Sequence, residues 1–314
     1  MSVKIPYRRD MTFEYGVADH LSPMIRRVIA HNPSPFTLHG TGTYILGRGR
    51  VAVIDPGPDI AEHVDALRMA LGDEEISHVL ITHCHMDHSP ACRRLREFSD
   101  APTYAYGPHG SGRTAVGSGA PEVQVEEGAD RHFKPDHEVR HGQVLEGDGW
   151  SVECVYTPGH TSNHTCYQLR EERALFTGDH VMGWSTSVIS PPDGDMRAYM
   201  DSLALLLDRD DAIYWPTHGP AIEDPKPFVQ AYIDHRRERE QQILACIASG
   251  VEEIREMVPK MYADYPEFMY PAAGRSVYAA VVYLVEQGRL VCEGDLAIDG
   301  RFRLTRQESV EPGR

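Results

Sequence analysis

Short apolar runs alternate with glycine- and proline-punctuated polar stretches as far as about Pro220. The stretch up to about Phe36 shows no clear period and reads as irregular. Gly42 to Gly47 and Val51 to Asp55 are apolar-rich runs joined by the turn residues Gly47 to Arg50, spacing that predicts a β-hairpin. Asp59 stands where an N-cap is expected, and Ile60, Val64, Leu67 and Leu71 recur at helical spacing. A buried strand follows over His78 to Thr82. Pro90 suits the first turn of a helix that continues from Ala91 to Phe98, and Thr103 to Tyr106 reads as a short strand. Gly107 to about His137 is weakly periodic and predicts a long surface excursion placed to cover a site.

The second half repeats the pattern. Trp150 to Tyr156, His164 to Leu169 and Ala174 to Thr177 read as strands, Met196 to Leu207 as an amphipathic helix, and Ala212 to Trp215 as a further strand. Two halves of alternating strands and helices predict a layered α/β domain over residues 1–225. From Lys226 the pattern turns helical, with helices over Val229 to Ala248, Val251 to Tyr262 and Ser276 to Glu286. A hairpin, Arg289 to Cys292 with Phe302 to Leu304, closes the chain, so residues 226–314 read as a helical linker and a winged-helix domain.

Composition narrows the setting. With 314 residues, 41% hydrophobic and 25% charged, the chain can bury a large core. Its net charge of -16 disfavours broad attraction to nucleic acid or anionic membrane. From Arg236 onward there are 11 Lys or Arg against 13 Asp or Glu, so the tail lacks the basic footprint of a DNA reader. A structural or homodimerising tail is the preferred reading, with Arg301, Arg303 and Arg306 as candidates for single-strand contact. The N-terminus has no signal-peptide core, no window is apolar enough to span a bilayer, and the six cysteines lack CxxC spacing. A cytoplasmic protein without membrane partners is expected.

The candidate chemistry sits in Thr82-His83-Cys84-His85-Met86-Asp87-His88, directly after the apolar Val79-Leu80-Ile81. Three imidazoles and a carboxylate within six positions, at the exit of a strand, point to a metal site. His160, Asp179 and His218 each lie just past the end of another predicted strand, where a sheet edge would gather them with the first cluster. Asp55 and His164 are read as hydrogen-bond supports for ligands, His180 less so, and Cys84 as a buried filler pointing away. Trp184 to Thr186 read as ordinary loop rather than pocket wall, and the charge run His235 to Glu240 as a solvated helix face.

HxHxDH at His83 to His88, followed by His160, Asp179 and His218, resembles the ligand series of the metallo-β-lactamase superfamily over roughly Thr37 to Pro220. The stretches His39 to Tyr44, Tyr156 to Thr161, Ala174 to Gly183 and His235 to Leu244, with the winged-helix tail, resemble the lactamase-beta-like endoribonuclease branch. Ser89-Pro90-Ala91 departs from it where many relatives carry a glycine pair. The resemblance implies an α/β fold of the αβ/βα four-layer type with two divalent metal ions, zinc by preference and manganese or iron accommodated. His83, His85 and His160 would hold the first ion, Asp87, His88 and His218 the second, and Asp179 both. A metal-bridging hydroxide would be the nucleophile, with Asp87 as the catalytic residue that orients it. A carboxylate at the bridge argues against antibiotic hydrolysis. Single-stranded RNA is one substrate the resemblance implies. A small-molecule thioester, as in glyoxalase-II-like relatives, is the alternative, ahead of a flavodiiron-like redox role or a non-catalytic metal-stabilised binding protein.

Overall fold

The computed structural model describes residues 3–113 and 128–305. The middle of the excursion expected after Gly107 (residues 114–127), and Arg306, lie outside the described residues. In chain order the elements are β1 (Asp19–His20), β2 (Ile25–Ile29), β3 (Gly42–Leu46), β4 (Arg50–Ile54), α1 (Ala61–Leu71), β5 (Glu75–Leu80), α2 (Cys92–Leu95), β6 (Thr103–Ala105) and β7 (His137–Glu138). They continue with β8 (Val144–Glu146), β9 (Ser151–Tyr156), β10 (Thr165–Leu169), β11 (Ala174–Gly178), α3 (Met196–Asp208), β12 (Ile213–Pro216) and α4 (Pro225–Ala248). The last four are α5 (Ile254–Met261), α6 (Tyr270–Glu286), β13 (Leu290–Glu293) and β14 (Arg301–Leu304).

Strands β1 to β7 form one mixed sheet in chain order, antiparallel as far as β4 and parallel from β4 onward. The second sheet has the order β12-β11-β10-β9-β8, with only the β11–β12 pair parallel. The sheets face each other across Tyr44, Ile54, Leu80, Trp150, Val152, Tyr167 and Phe176. On the outer face of the first sheet Leu67 and Leu71 of α1 pack on Val28, Ile45 and Val53. On that of the second, Tyr199, Leu203 and Leu206 of α3 pack with Val155, Cys166 and Leu175. The result is the four-layer αβ/βα arrangement, and buried apolar area is its main support.

Local reading and structure part company in several places. The first 36 residues are not all irregular: β2 is buried along its whole length. Its pattern is masked by Arg26 and Arg27, whose charges are met within the protein by Glu74 and, at 3.0 Å, by Asp19. Asp59 is not the N-cap of α1. Ile60 takes that position without a side-chain cap, while Asp59 pairs with Arg93 and Arg94. The helix expected over Ala91 to Phe98 contracts to Cys92–Leu95. Strands β7 and β8, of 2 and 3 residues, are too short to show a period.

Beyond β12 the long α4 lies on α3, and α5, α6 and the β13–β14 hairpin make the winged-helix unit. Phe302 of β14 is fully buried with Ile243, Val281 and Leu284, so this unit and α3 share one apolar cluster. The charge run on α4 is not a solvated face, because Arg236 and Glu240 are only 6% and 8% exposed. Among the described residues no helix is long and apolar enough to cross a membrane.

Trp150 joins the two sheets near their edge. It is buried, and its indole N–H donates to the Arg50 carbonyl at 3.0 Å. A Cβ at Gly147 would lie 1.9 Å from its ring, and one at Gly47 2.5 Å, so the indole is seated between two backbones that only glycine permits. Trp150→Ala is expected to cost about 3–5 kcal/mol by removing a large core side chain, read as a lower urea midpoint with unchanged slope. A loss under about 1 kcal/mol would show that the seat is not part of the core.

Candidate metal centre

Parallel pairing of β4 with β5, and of β11 with β12, carries four strand ends to one edge of the two sheets. The Thr82–His88 loop leaves β5, Asp179 follows β11 and His218 follows β12, while His160 sits in the loop between β9 and β10. All seven sequence-predicted ligands are buried there and come together. Their donor atoms form three groups, His83 with His85 and His160, His83 with His88 and Asp179, and Asp87 with His88 and His218. Within each group the atoms lie inside 4.8 Å of one another.

Most imidazoles are fixed by their outer nitrogen. Nδ1 of His83 faces the Thr82 hydroxyl at 3.0 Å, that of His88 the Asp55 carboxylate at 2.9 Å, that of His160 the Val188 carbonyl at 2.7 Å, and that of His218 the Gly40 carbonyl at 3.1 Å. Nε2 of each therefore points inward. His83 Nε2 lies 2.9 Å from His85 Nδ1, and His160 Nε2 lies 3.3 Å from the same atom. His218 Nε2 stands 3.1 Å from Asp87 Oδ2 and 3.4 Å from Asp179 Oδ2. Asp179 Oδ2 is also 3.6 Å from His88 Nε2 and 3.9 Å from His160 Nε2, a position between the two ends of the cluster.

Electrostatics divides the cluster. Burial, reinforced by neighbouring imidazoles, holds His83 well below the usual histidine value and takes His85 down to about 3. Burial lowers His160 as well. At the other end burial also disfavours charge, but the carboxylates overcome it, Asp87, Asp179 and Asp55 raising His88 and Asp179 with Asp87 pushing His218 up to about 10. Asp87 and Asp179 resist the upward push of burial and stay below the carboxylate range because His88 and His218 face them.

The donor set fits divalent cations. Among the described residues His88 Nε2, His218 Nε2, Asp87 Oδ1 and Asp179 Oδ1 are buried with no hydrogen-bond partner, and neutral imidazoles with carboxylates are ordinary ligands for such ions.

Around the ligands, Asp55 collects four donors. Its carboxylate accepts from Thr82 N at 2.8 Å, Thr82 Oγ1 at 2.7 Å, His88 Nδ1 at 2.9 Å and Thr217 Oγ1 at 3.1 Å. His164 accepts from the Asp179 amide at 3.3 Å through Nε2, and its Nδ1 faces the Thr157 hydroxyl at 2.9 Å. Both supporting roles expected from the sequence have their contacts. Among the described residues His180 makes no such contact and instead packs against Tyr199, with ring centroids 4.6 Å apart and the planes tilted by 50°. Cys84 is a buried filler, its thiol pushed up to about 12 by burial and met by Asn163 Nδ2 at 2.9 Å. Two glycines let ligand loops come close. A Cβ at Gly159, beside His160, would lie 2.4 Å from Tyr199 Cα, and one at Gly178, beside Asp179, 2.5 Å from His164 Nε2.

Other contacts had no local signal. Thr41 Oγ1 donates to Asp87 Oδ2 at 3.2 Å, and the Ser187 hydroxyl donates to the Asp179 carbonyl. Thr41 lies in the stretch that carries the family resemblance, but nothing in its spacing marks it as a partner of Asp87. A cleft opens off His160 and Asp179, walled by Phe36, Met182, Trp184 and Val188 and, from the C-terminal unit, Tyr262 and Tyr265. Trp184, Ser185 and Thr186 line it, so they are pocket wall and not ordinary loop.

Comparison with known proteins agrees with this geometry. Residues 37–218 match the metallo-beta-lactamase superfamily, and residues 254–300 the beta-lactamase associated winged helix domain. The chain belongs to the metallo-beta-lactamase superfamily and is a hydrolase of that class. It is 32% identical over 277 residues to the Beta-lactamase-like protein 2 homolog of Caenorhabditis elegans, covering 86% of this chain and 87% of the relative. It is 35% identical over 240 residues to the atrochrysone carboxyl ACP thioesterase of Aspergillus fumigatus, covering 76% and 69%. A metallo-beta-lactamase family protein from Thermus thermophilus shares the fold at a TM-score of 0.73 and 21% identity, covering 91% of this chain and 100% of that one.

Asp55→Asn keeps the shape but removes the charge that orients His88, and is expected to weaken metal affinity about 10–100-fold. Competition against a chromophoric chelator reads this directly. An affinity within twofold of wild type would mean that Asp55 only shapes the turn.

Proposed function

We propose that the chain is a binuclear metal-dependent hydrolase, zinc by preference, that cleaves acyl thioesters. His83, His85 and His160 would hold one ion, Asp87, His88 and His218 the other, and Asp179 both. Bound ions of this kind supply Lewis acidity and a water acidic enough to ionise near neutral pH.

The observation that carries the substrate class is the cleft. His160 and Asp179 line it together with the apolar and aromatic Phe36, Met182, Trp184, Val188, Tyr262 and Tyr265 and with polar groups such as Thr186 and Arg236, a mixed wall that suits an acyl thioester bound beside a polarised carbonyl. A polynucleotide would need a cationic track along its backbone, and the two arginines of the cleft, in a chain of net charge -16, are short of one. The likeness to a relative named as a thioesterase supports the same reading.

Asp87 is the catalytic group. The Thr41 hydroxyl holds its Oδ2, which would fix the carboxylate to orient the attacking water and take its proton. The water oxygen bonds to the acyl carbon, the carbon–sulfur bond breaks, and the proton passes to the departing sulfur. His164, through the Asp179 amide, and Asp55, through His88, hold the geometry. All six cysteines are free, which supports a reducing, cytoplasmic setting.

Parallel assays on an S-acyl-N-acetylcysteamine and a fluorogenic RNA test the reading. The metal-loaded protein should turn over the thioester, lose activity on chelation, regain it with zinc, and lose about 100-fold or more in kcat/KM in Asp87→Ala. Turnover of RNA alone would replace the substrate class. Turnover of neither would sink both.

A further inference from the structure

One wall of the cleft carries positive charge that no carboxylate among the described residues pairs with. Arg236 and Arg239 are one turn apart on α4 and both line the cleft. Arg236 is 6% exposed. Its Nη2 donates to the Ser187 carbonyl at 2.6 Å, and its guanidinium lies 4.9 Å from the centre of the Tyr199 ring. Arg239 Nη1 donates to the Met261 carbonyl at 2.9 Å and to Gln242 Oε1 at 2.8 Å, with the guanidinium 4.5 Å from the Tyr262 ring centre. These partners are neutral, and among the described residues neither arginine lies in an ion pair. Among the same residues Nε of each is buried without a hydrogen-bond partner, as is the indole nitrogen of Trp184, which also lines the cleft. The charged side chain lining the cleft besides these two is Asp179, at the metal centre.

A guanidinium buried without a counter-anion is costly, and two on one wall repel each other. A merely structural arginine would gain by pairing with a carboxylate of its own chain, as Arg26 and Arg27 do. Here the aromatic faces and carbonyls hold the guanidinium groups in place and leave their Nε donors unused, an arrangement that suits an incoming anion.

We propose that Arg236 and Arg239 form a subsite for an anionic group of the substrate, a carboxylate or a phosphate, in the cleft they share with the His/Asp centre. The inference rests on the hydrolase reading and refines its substrate class to an acyl thioester that bears an anion away from the scissile carbonyl. Arg236 and Arg239 are positioning and specificity residues in this scheme, and the aromatic wall accommodates the chain between the two ends.

Three thioesters separate the sources of charge. S-valeryl-N-acetylcysteamine has no anion, S-glutaryl-N-acetylcysteamine has a carboxylate on the acyl side, and S-valeryl-4′-phosphopantetheine has a phosphate on the thiol side. At least one anionic substrate should exceed the neutral one about tenfold or more in kcat/KM, chiefly through KM, a gain on the scale of one charge-assisted contact. Arg239→Gln should abolish most of that preference and Arg239→Lys should restore part of it. Equal turnover of all three, or an equal loss on all three in Arg239→Gln, would overturn the subsite.

A binding measurement keeps the subsite testable apart from turnover. Tryptophan fluorescence of the metal-loaded protein, titrated with glutarate and separately with inorganic phosphate, should change saturably for at least one of them, with affinity about tenfold weaker in Arg239→Gln. No saturable change, or the same affinity in wild type and variant, would overturn the subsite even if thioesters are hydrolysed. Saturable binding that weakens in the variant, with no thioester turned over, would uphold the subsite and defeat the thioester reading instead.

Discussion

The carboxylate of Asp55 is the contact on which the candidate centre most depends. It lies past the last residue of β4, at a φ of 47° that lets the chain turn out of the sheet. From there it binds Thr82 at two atoms, His88 and Thr217, and so ties together three loops leaving β4, β5 and β12. None of these bonds stabilises the fold by much alone. Together, in a water-excluded place, they fix the tautomer of His88 and the spacing between the first sheet and the second.

That spacing matters because the seven candidate ligand side chains make poor neighbours without a cation among them. Imidazoles crowd at the His83 end and carboxylates meet His88 and His218 at the other, all buried. The fold holds them by their outer atoms: a threonine hydroxyl, two backbone carbonyls and the Asp55 carboxylate. Preorganisation of this sort is paid for by the two-sheet core, where Tyr44, Trp150, Tyr167 and Phe176 interlock. The same core leaves the ligand loops free to sit at the edge, where a substrate reaches them.

The C-terminal unit acts on the site from outside. It supplies none of the seven ligands, yet Arg236 and Arg239 of α4, with Tyr262 and Tyr265 after α5, form one side of the cleft. The shared cluster around Phe302, Ile243 and Leu284 anchors that wall to α3, the helix that carries Tyr199. The candidate ligands and one side of the cleft thus come from different parts of the chain, which share one apolar cluster.

Much of this was legible in the sequence, and the reasons differ from place to place. The ligand set could be read because each ligand stands just past an apolar strand or in the loop that follows one, so local periodicity already marks the edge where side chains are free to converge. The winged-helix tail could be read because helical and strand periods are local properties. Strand β2 could not, since Arg26 and Arg27 look like solvated charges until Glu74 and Asp19 are brought beside them. Asp59 has the chemistry of an N-cap, but the nearby arginines of α2 compete for it. The charge run on α4 looks solvated for the same kind of reason, because the side chains that cover Arg236 come from elements far away in sequence. By itself the sequence determined which residues can ligate and where most of the longer strands and helices fall, because those follow from side-chain chemistry and from periods of two or 3.6. Tertiary structure alone decided which polar atoms meet, which charges are buried and what walls the cleft, because each of those depends on contacts between residues far apart in the chain.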